Sequence, residues 1–159
     1  MRPLKDIENV FVAKYGGVYE HSPWVAKAAF KAGIPDLSLE MRKVVEAAGA
    51  DAQLTLLRAH PDLAGKLAKS GTLTQESTSE QASAGLDQCT AAEFAEFTML
   101  NDSYKAKFGF PYILAVKGRH RREILENFRN RINNTPKQEF REALDQVHQI
   151  AKLRLADIL

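Results

Sequence analysis

The stretch FGFPYILAV, residues 108–116, decides between two fold classes. An apolar run of this length is compatible with a buried β-strand, but no second segment of the chain offers a convincing strand to pair with it. The run is therefore read as an extended apolar connector, near residues 109–116, whose backbone polar groups must find partners other than a sheet. On its N-terminal side, Phe94, Phe97, Leu100, Asn101, Tyr104 and Phe108 recur at three- and four-residue intervals, the spacing of one helix face. Thr90, with Glu93 three positions on, supplies a capping box for that helix. On the C-terminal side a basic helix spans about Arg119 to Ile132, and Thr135-Pro136 opens the last and longest helix, running nearly to Leu159.

Further out the same grammar holds. Leu4, Ile7, Val10 and Phe11 form a short amphipathic stripe closed by Gly16-Gly17. Ser22 stands as an N-cap before Pro23, and Gly33 and Pro35 mark the end of that helix. Ser38 opens a helix carrying Leu39, Met41, Val44 and Val45 that stops at Gly49. Asp51 caps a shorter one through Leu54, Leu57 and Arg58, ending at His60-Pro61. Asp62 caps another turn or two through Leu63 and Leu67, and Ser70, Gly71 and Thr72 read as a loop. Ser77 with Glu80 repeats the capping-box spacing. No repeat or linker divides the chain. The expectation is an all-α fold, a compact single-domain bundle of about eight helices over residues 1–159.

Composition narrows the class of protein. At 159 residues a core forms without staples. The single cysteine, Cys89, excludes an internal disulfide and cysteine-based zinc or iron–sulfur sites, and suits a reducing compartment. No segment approaches the roughly 18 consecutive apolar residues of a membrane helix. Asp6 and Glu8 interrupt the N-terminal region before a signal-peptide core develops. The expectation is a cytoplasmic protein. With 22 Lys+Arg against 20 Asp+Glu, the net charge of +2 is too mild to indicate nucleic acid.

Four features conflict with their surroundings. In the last helix Phe140, Leu144, Val147, Ala151 and Arg154 lie within about 40° of one meridian, so an apolar stripe ends in a guanidinium. That arginine either snorkels to solvent near the helix end or is held by a partner. His60 ends a helical segment before Pro61, where it is either a surface capping residue or a proton donor. The other histidines, His21, His120 and His148, show no spacing relation to it, and no metal-ligand pattern is present. Ser77, Glu80 and Gln81 either start a helix or present its N-terminus to a carboxylate or a carbonyl-rich ring. Residues 117–131 hold six Lys/Arg and two Asp/Glu, either a solvated helix face or an interaction surface for nucleic acid or an acidic partner.

Taken in order and spacing, SPW (22–24), LLRAHPDLAGK (56–66), STSEQ (77–81), LNDSYKAKFGFPYILAVKG (100–118) and IAKLRLADI (150–158) resemble the 2-oxo-4-hydroxy-4-carboxy-5-ureidoimidazoline (OHCU) decarboxylases of urate degradation. The resemblance covers essentially the whole chain. It implies an all-α homodimer without metal or organic cofactor that removes CO2 from OHCU and protonates one face of the resulting carbon, giving (S)-allantoin. It further implies catalytic roles for His60 as proton donor, Glu80 as the carboxylate nearest the chemistry, and Arg154. Pro61, the stretch Ser77, Thr78, Ser79, Glu80 and Gln81, and the connector residues Tyr112, Ile113, Leu114, Ala115 and Val116 are implied as substrate-binding. Tyr112 departs from the phenylalanine common in the family, and its phenol needs a partner if buried.

The chemistry asks for such a set. Without a cofactor, the electron pair left by CO2 must enter the C=N of the substrate ring. The protein must then orient the departing carboxylate, stabilise charge in the ring and deliver a proton to one face. His60, Glu80 and Arg154, 20 and 74 residues apart in sequence, are expected to serve one pocket.

Overall fold

A computed structural model describes residues 4–32, 36–64 and 73–158. Among the described residues there are eight α-helices: α1 (Leu4–Tyr15), α2 (Pro23–Ala32), α3 (Leu37–Ala47), α4 (Ala50–Arg58), α5 (Gln75–Ser83), α6 (Ala91–Phe108), α7 (Arg121–Arg131) and α8 (Pro136–Ile158). One 3₁₀ turn, Leu86–Gln88, lies between α5 and α6, and no strand occurs among these residues. The all-α expectation is met. Gly33, Pro35, Leu67, Ser70, Gly71 and Thr72, assigned above to a helix end, a short helix and a loop, lie outside the described residues.

Helix starts test the capping assignments one by one. Thr90 and Glu93 form the full capping box of α6, each side chain bonding the other's backbone N–H. Thr135 and Gln138 exchange the same pair of bonds before α8. Three assignments are corrected. The N-cap of α3 is Asp36, whose Oδ1 accepts from Leu39 N at 3.1 Å, so Ser38 falls in the first turn. Helix α4 begins after Gly49, at φ +90°, leaving Asp51 in its first turn. Helix α5 is capped by Thr74, whose hydroxyl accepts from Ser77 N at 3.2 Å, so Ser77 and Glu80 are interior residues. In each case two capping-competent residues lie within a few positions, and tertiary packing selects one. Ser22 precedes α2 as expected, but its hydroxyl donates to the Glu20 carbonyl at 3.0 Å.

The chain divides into two compact units, Met1–Ala59 with Val147–Leu159, and His60–Gln146. In the first, α1 packs on α2 and α2 on α3. Val25, Ala26, Ala29, Met41, Val45, Leu56 and Leu57 are buried, as are Val147, Ala151 and Leu155 from the C-terminal part of α8. The amphipathic stripe of α1 is only partly used. Phe11 meets Phe30 with ring centroids 5.2 Å apart, whereas Leu4, Ile7 and Val10 are exposed.

The second unit is built on an aromatic core. Tyr104 of α6 meets Phe108, Phe110, Tyr112 and Phe128, and Tyr112 stacks flat on Phe128 at 3.8 Å. Helix α6 ends at Gly109, whose φ of +79° lets the chain leave the helix as a left-handed cap. From there residues 110–116 are buried and belong to no helix or strand. They form a connector and not a strand, as expected.

Candidate functional site

The connector finds its partners in side chains. The Ile113 carbonyl accepts from Arg131 Nη1, Ala115 N donates to Gln146 Oε1 at 3.0 Å, and the Ala115 carbonyl accepts from Arg119 Nε at 3.2 Å. Some of the backbone groups expected to face a ligand are therefore already engaged. Leu114, also buried, makes no hydrogen bond through its N–H or C=O to another described residue. Tyr112 is fully buried, and its phenol donates to Asn127 Oδ1 at 2.5 Å, which supplies the partner that its departure from phenylalanine required.

Arg131 is in turn fixed by Glu139, a pair that is almost completely buried. Its Nη2 lies 2.8 Å from Glu139 Oε2, and Tyr104 and Asn134 also donate to the carboxylate. Burial opposes ionisation of Glu139, but the bonds from Arg131 and Tyr104 outweigh it and hold the carboxyl below the ordinary range. The guanidinium also sits over the Tyr112 ring at 4.6 Å. One buried ion pair thus anchors both the aromatic core and the middle of the connector.

His60 lies just beyond the C-cap of α4, Ala59, in the turn before Pro61. It is 7 % exposed, which replaces the surface-cap reading with that of a buried imidazole. The turn that follows is held from three sides. Gln81 spans it with both ends of its carboxamide: Oε1 accepts from Ala64 N at 2.9 Å, and Nε2 donates to the Asp62 carbonyl at 3.3 Å. Asn101 Nδ2 donates to the Leu63 carbonyl at 3.0 Å. Lys105 Nζ reaches Asp62 Oδ2 at 2.7 Å, so the Asp62 carboxylate carries an ion pair, while the turns it was expected to cap run on into residues outside those described. Ala64 is left at φ +51°, a conformation uncommon for a residue with a Cβ.

Helix α5 sorts the 77–81 stretch by face. Ser77 and Gln81, four residues apart, are buried, and Glu80 is half-buried beside them. Thr78 and Ser79 point outward, and the Thr78 hydroxyl donates to the Thr74 carbonyl at 2.8 Å. The second unit therefore brings together His60 and Pro61, the inner face of α5 and Asn101 of α6.

Arg154 belongs to the first unit. It is 6 % exposed, so it does not snorkel. Its Nη2 donates to Glu20 Oε2 at 2.8 Å and its Nη1 to the Gly17 carbonyl at 3.2 Å. Burying both charges is tolerable because each carries the other's compensation. The remaining histidines have local roles. His148 is buried with Nδ1 2.7 Å from the Tyr19 phenol, and burial pushes that phenol well above its ordinary range. His120 is the N-cap of α7, and His21 is exposed next to Glu20. Among the described residues no group of three or more His, Cys, Asp or Glu is gathered to hold a metal ion.

The basic stretch 117–131 is largely neutralised. Arg121 pairs with Glu93 at 2.9 Å, Arg129 with Glu96, and Arg131 is the buried partner of Glu139. The reading of this face as a nucleic-acid or acidic-partner surface is not supported.

Two residues went unflagged in the sequence. Asn101 was visible as a polar residue on the apolar stripe of α6, and that mismatch was the signal. Glu20 carries no comparable mark, because its partner is 134 residues away. Asn101 also leaves its Oδ1 buried with no hydrogen-bond partner among the described residues, an arrangement that costs about 1–3 kcal/mol.

This all-α chain, with a buried histidine on a clamped turn beside a carboxylate-bearing helix, carries groups suited to holding and protonating a small polar molecule. Residues 7–156 match the family described as OHCU decarboxylase, and the chain belongs to that family. The 2-oxo-4-hydroxy-4-carboxy-5-ureidoimidazoline decarboxylase of Haloferax volcanii is 41% identical over 154 residues, covering 94% of this chain and 89% of that protein. Among solved structures, an (S)-allantoin synthase superposes with a TM-score of 0.76 at 33% identity, covering 99% of this chain and 54% of its own. An OHCU decarboxylase crystallised in the presence of (S)-allantoin superposes with a TM-score of 0.73 at 25% identity, covering 91% of this chain and 96% of its own.

Proposed function

We propose that this protein is a single OHCU decarboxylase domain that converts OHCU to (S)-allantoin in urate degradation. The bond from the hydroxyl-bearing ring carbon to the carboxylate breaks, CO2 leaves, and the electron pair forms a C=C to the neighbouring ureido-bearing carbon while the C=N pair moves onto the ring nitrogen, which takes up a proton. His60 then protonates the ureido-bearing carbon on one face as the hydroxyl gives up its proton to become the ring carbonyl, and His60 recovers its proton from solvent. General-acid help of this kind is worth about 10²–10⁴ in rate. Glu80 accepts a hydrogen bond from the substrate hydroxyl. Arg154 uses its planar fork to hold an anionic or carbonyl oxygen.

Pro61, the stretch Ser77, Thr78, Ser79, Glu80 and Gln81, and the connector Tyr112, Ile113, Leu114, Ala115 and Val116 bind the substrate. The observation that carries this reading is the buried His60 on a turn fixed immediately downstream, since single-face protonation demands a donor that does not wander. The buried backbone of Leu114 adds an N–H and a C=O suited to an amide-rich ring. The motifs support a homodimer, to be read by light scattering. Among the described residues no helix is long and apolar enough to cross a membrane, in keeping with a cytoplasmic location.

The test is to generate OHCU from urate in situ and follow CO2 release together with the optical rotation of the product. The expected result is (S)-allantoin formed faster than spontaneous decay. Racemic allantoin at the background rate rejects the proposal.

A further inference from the structure

Three consecutive residues after the His60-Pro61 step are gripped by Gln81, Asn101 and Lys105, side chains of two helices, and of the two that lie outside the proposed catalytic and substrate-binding set only Asn101 is buried and bonds the turn's backbone. We infer that Asn101 is a positioning residue for His60, acting through its hydrogen bond to the Leu63 carbonyl. The inference rests on the proposed role of His60 as proton donor.

The geometry argues for it in three steps. The Leu63 carbonyl only accepts, so the bond at 3.0 Å fixes the Asn101 carboxamide with its NH2 toward the turn. Upstream, the Ala59 amide is bonded into the last turn of α4, to the Thr55 and Leu56 carbonyls. Downstream, Asn101 and Gln81 together hold Asp62, Leu63 and Ala64. His60 therefore sits on the short span between a helix end and a pinned turn. The pinned turn includes Ala64 in the left-handed region, a conformation that persists only where its surroundings enforce it.

A purely structural account fits Asn101 poorly. It is 3 % exposed on an otherwise apolar stripe, and its Oδ1 has no partner among the described residues, so leucine at this position would pack without that penalty. The bond to the Leu63 carbonyl, which places the turn, accounts for an asparagine here. Small misplacement of a catalytic group lowers turnover by up to about 10²-fold.

The test is a double-mutant cycle on the full chain with Asn101→Leu and His60→Ala, and with Asn101→Ser as the smaller variant should leucine fail to fold. Thermal melts verify folding. The expected result for the folded Asn101 variant is a kcat about 10- to 10²-fold lower with KM within about twofold. Enantiomeric excess of the allantoin should fall with it. In the His60→Ala background the same substitution should produce no further loss. A folded variant with unchanged kcat, or an equal loss in both backgrounds, overturns the positioning role while leaving His60 as donor. Wild-type turnover in His60→Ala alone removes the donor assignment and this inference with it.

Discussion

Glu20 and Arg154 are separated by 134 residues in the chain, and their charged atoms meet at 2.8 Å in a site where Glu20 is 2 % and Arg154 6 % exposed. Removing one partner leaves the other charge buried and uncompensated. Glu20→Ala should cost about 3–5 kcal/mol of stability, read as a shift in the urea midpoint at constant m-value. The paired replacement Glu20→Leu with Arg154→Met should come out near neutral in the same experiment. Because that pair keeps the fold but lacks the guanidinium, its kcat/KM for OHCU isolates the proposed substrate role of Arg154. Wild-type kcat/KM in the stable double variant removes Arg154 from the site.

His60→Ala should lower kcat by about 10²–10⁴-fold with little change in KM, since a proton donor acts in the transition state more than in substrate binding. Initial rates need correction for spontaneous decay of the substrate. A corrected turnover equal to wild type would exclude His60 as the donor.

Glu139 links pH to stability through Arg131. Its carboxyl is held below its ordinary value in the folded state, so its contribution is complete above the unfolded pKa of about 4.3 and is lost as pH falls through the lower folded value. Acid titration monitored by circular dichroism should therefore show stability declining below about pH 4, and Glu139→Gln should flatten that part of the curve. Arg131→Met should cost about 3–5 kcal/mol at neutral pH, because it strands a fully buried carboxylate and also releases the Ile113 carbonyl. A neutral-pH stability equal to wild type in Arg131→Met would contradict the anchoring role.

The capping box of α6 should behave as a stability element alone. Thr90→Ala is expected to lose about 0.5–2 kcal/mol in thermal or urea unfolding while kcat stays at the wild-type level. A specific loss of turnover at full stability would show that this helix start does more than cap.

Much of the architecture was legible because helices are written locally. The period of Phe97, Leu100 and Tyr104, the Thr90 and Glu93 box, the Thr135-Pro136 start and the irregular connector after Gly109 each depend on neighbours within a few residues, and each appears where the sequence places it. The cap assignments that failed, Ser38, Asp51 and Ser77, did so where Asp36, Gly49 or Thr74 stood close by as a competitor. Local energies of about 1 kcal/mol do not separate such rivals, whereas burial of one face does. Ser77 shows this directly, since its side of α5 turns inward.

The sequence by itself determined that this chain is helical, that an apolar connector outside helix and strand follows Gly109, and which motifs it shares with a decarboxylase family. Only the tertiary structure decided how the polar residues are used. It made Arg154 the partner of Glu20, turned His60 from a surface cap into a buried imidazole, gave the connector Arg131, Arg119 and Gln146 in place of a neighbouring strand, and brought Asn101 to the turn after His60. The reason is physical. Helix formation follows from spacing and capping within a turn or two, while the cost of burying a charge or an amide is met only by groups that the fold brings from far along the chain.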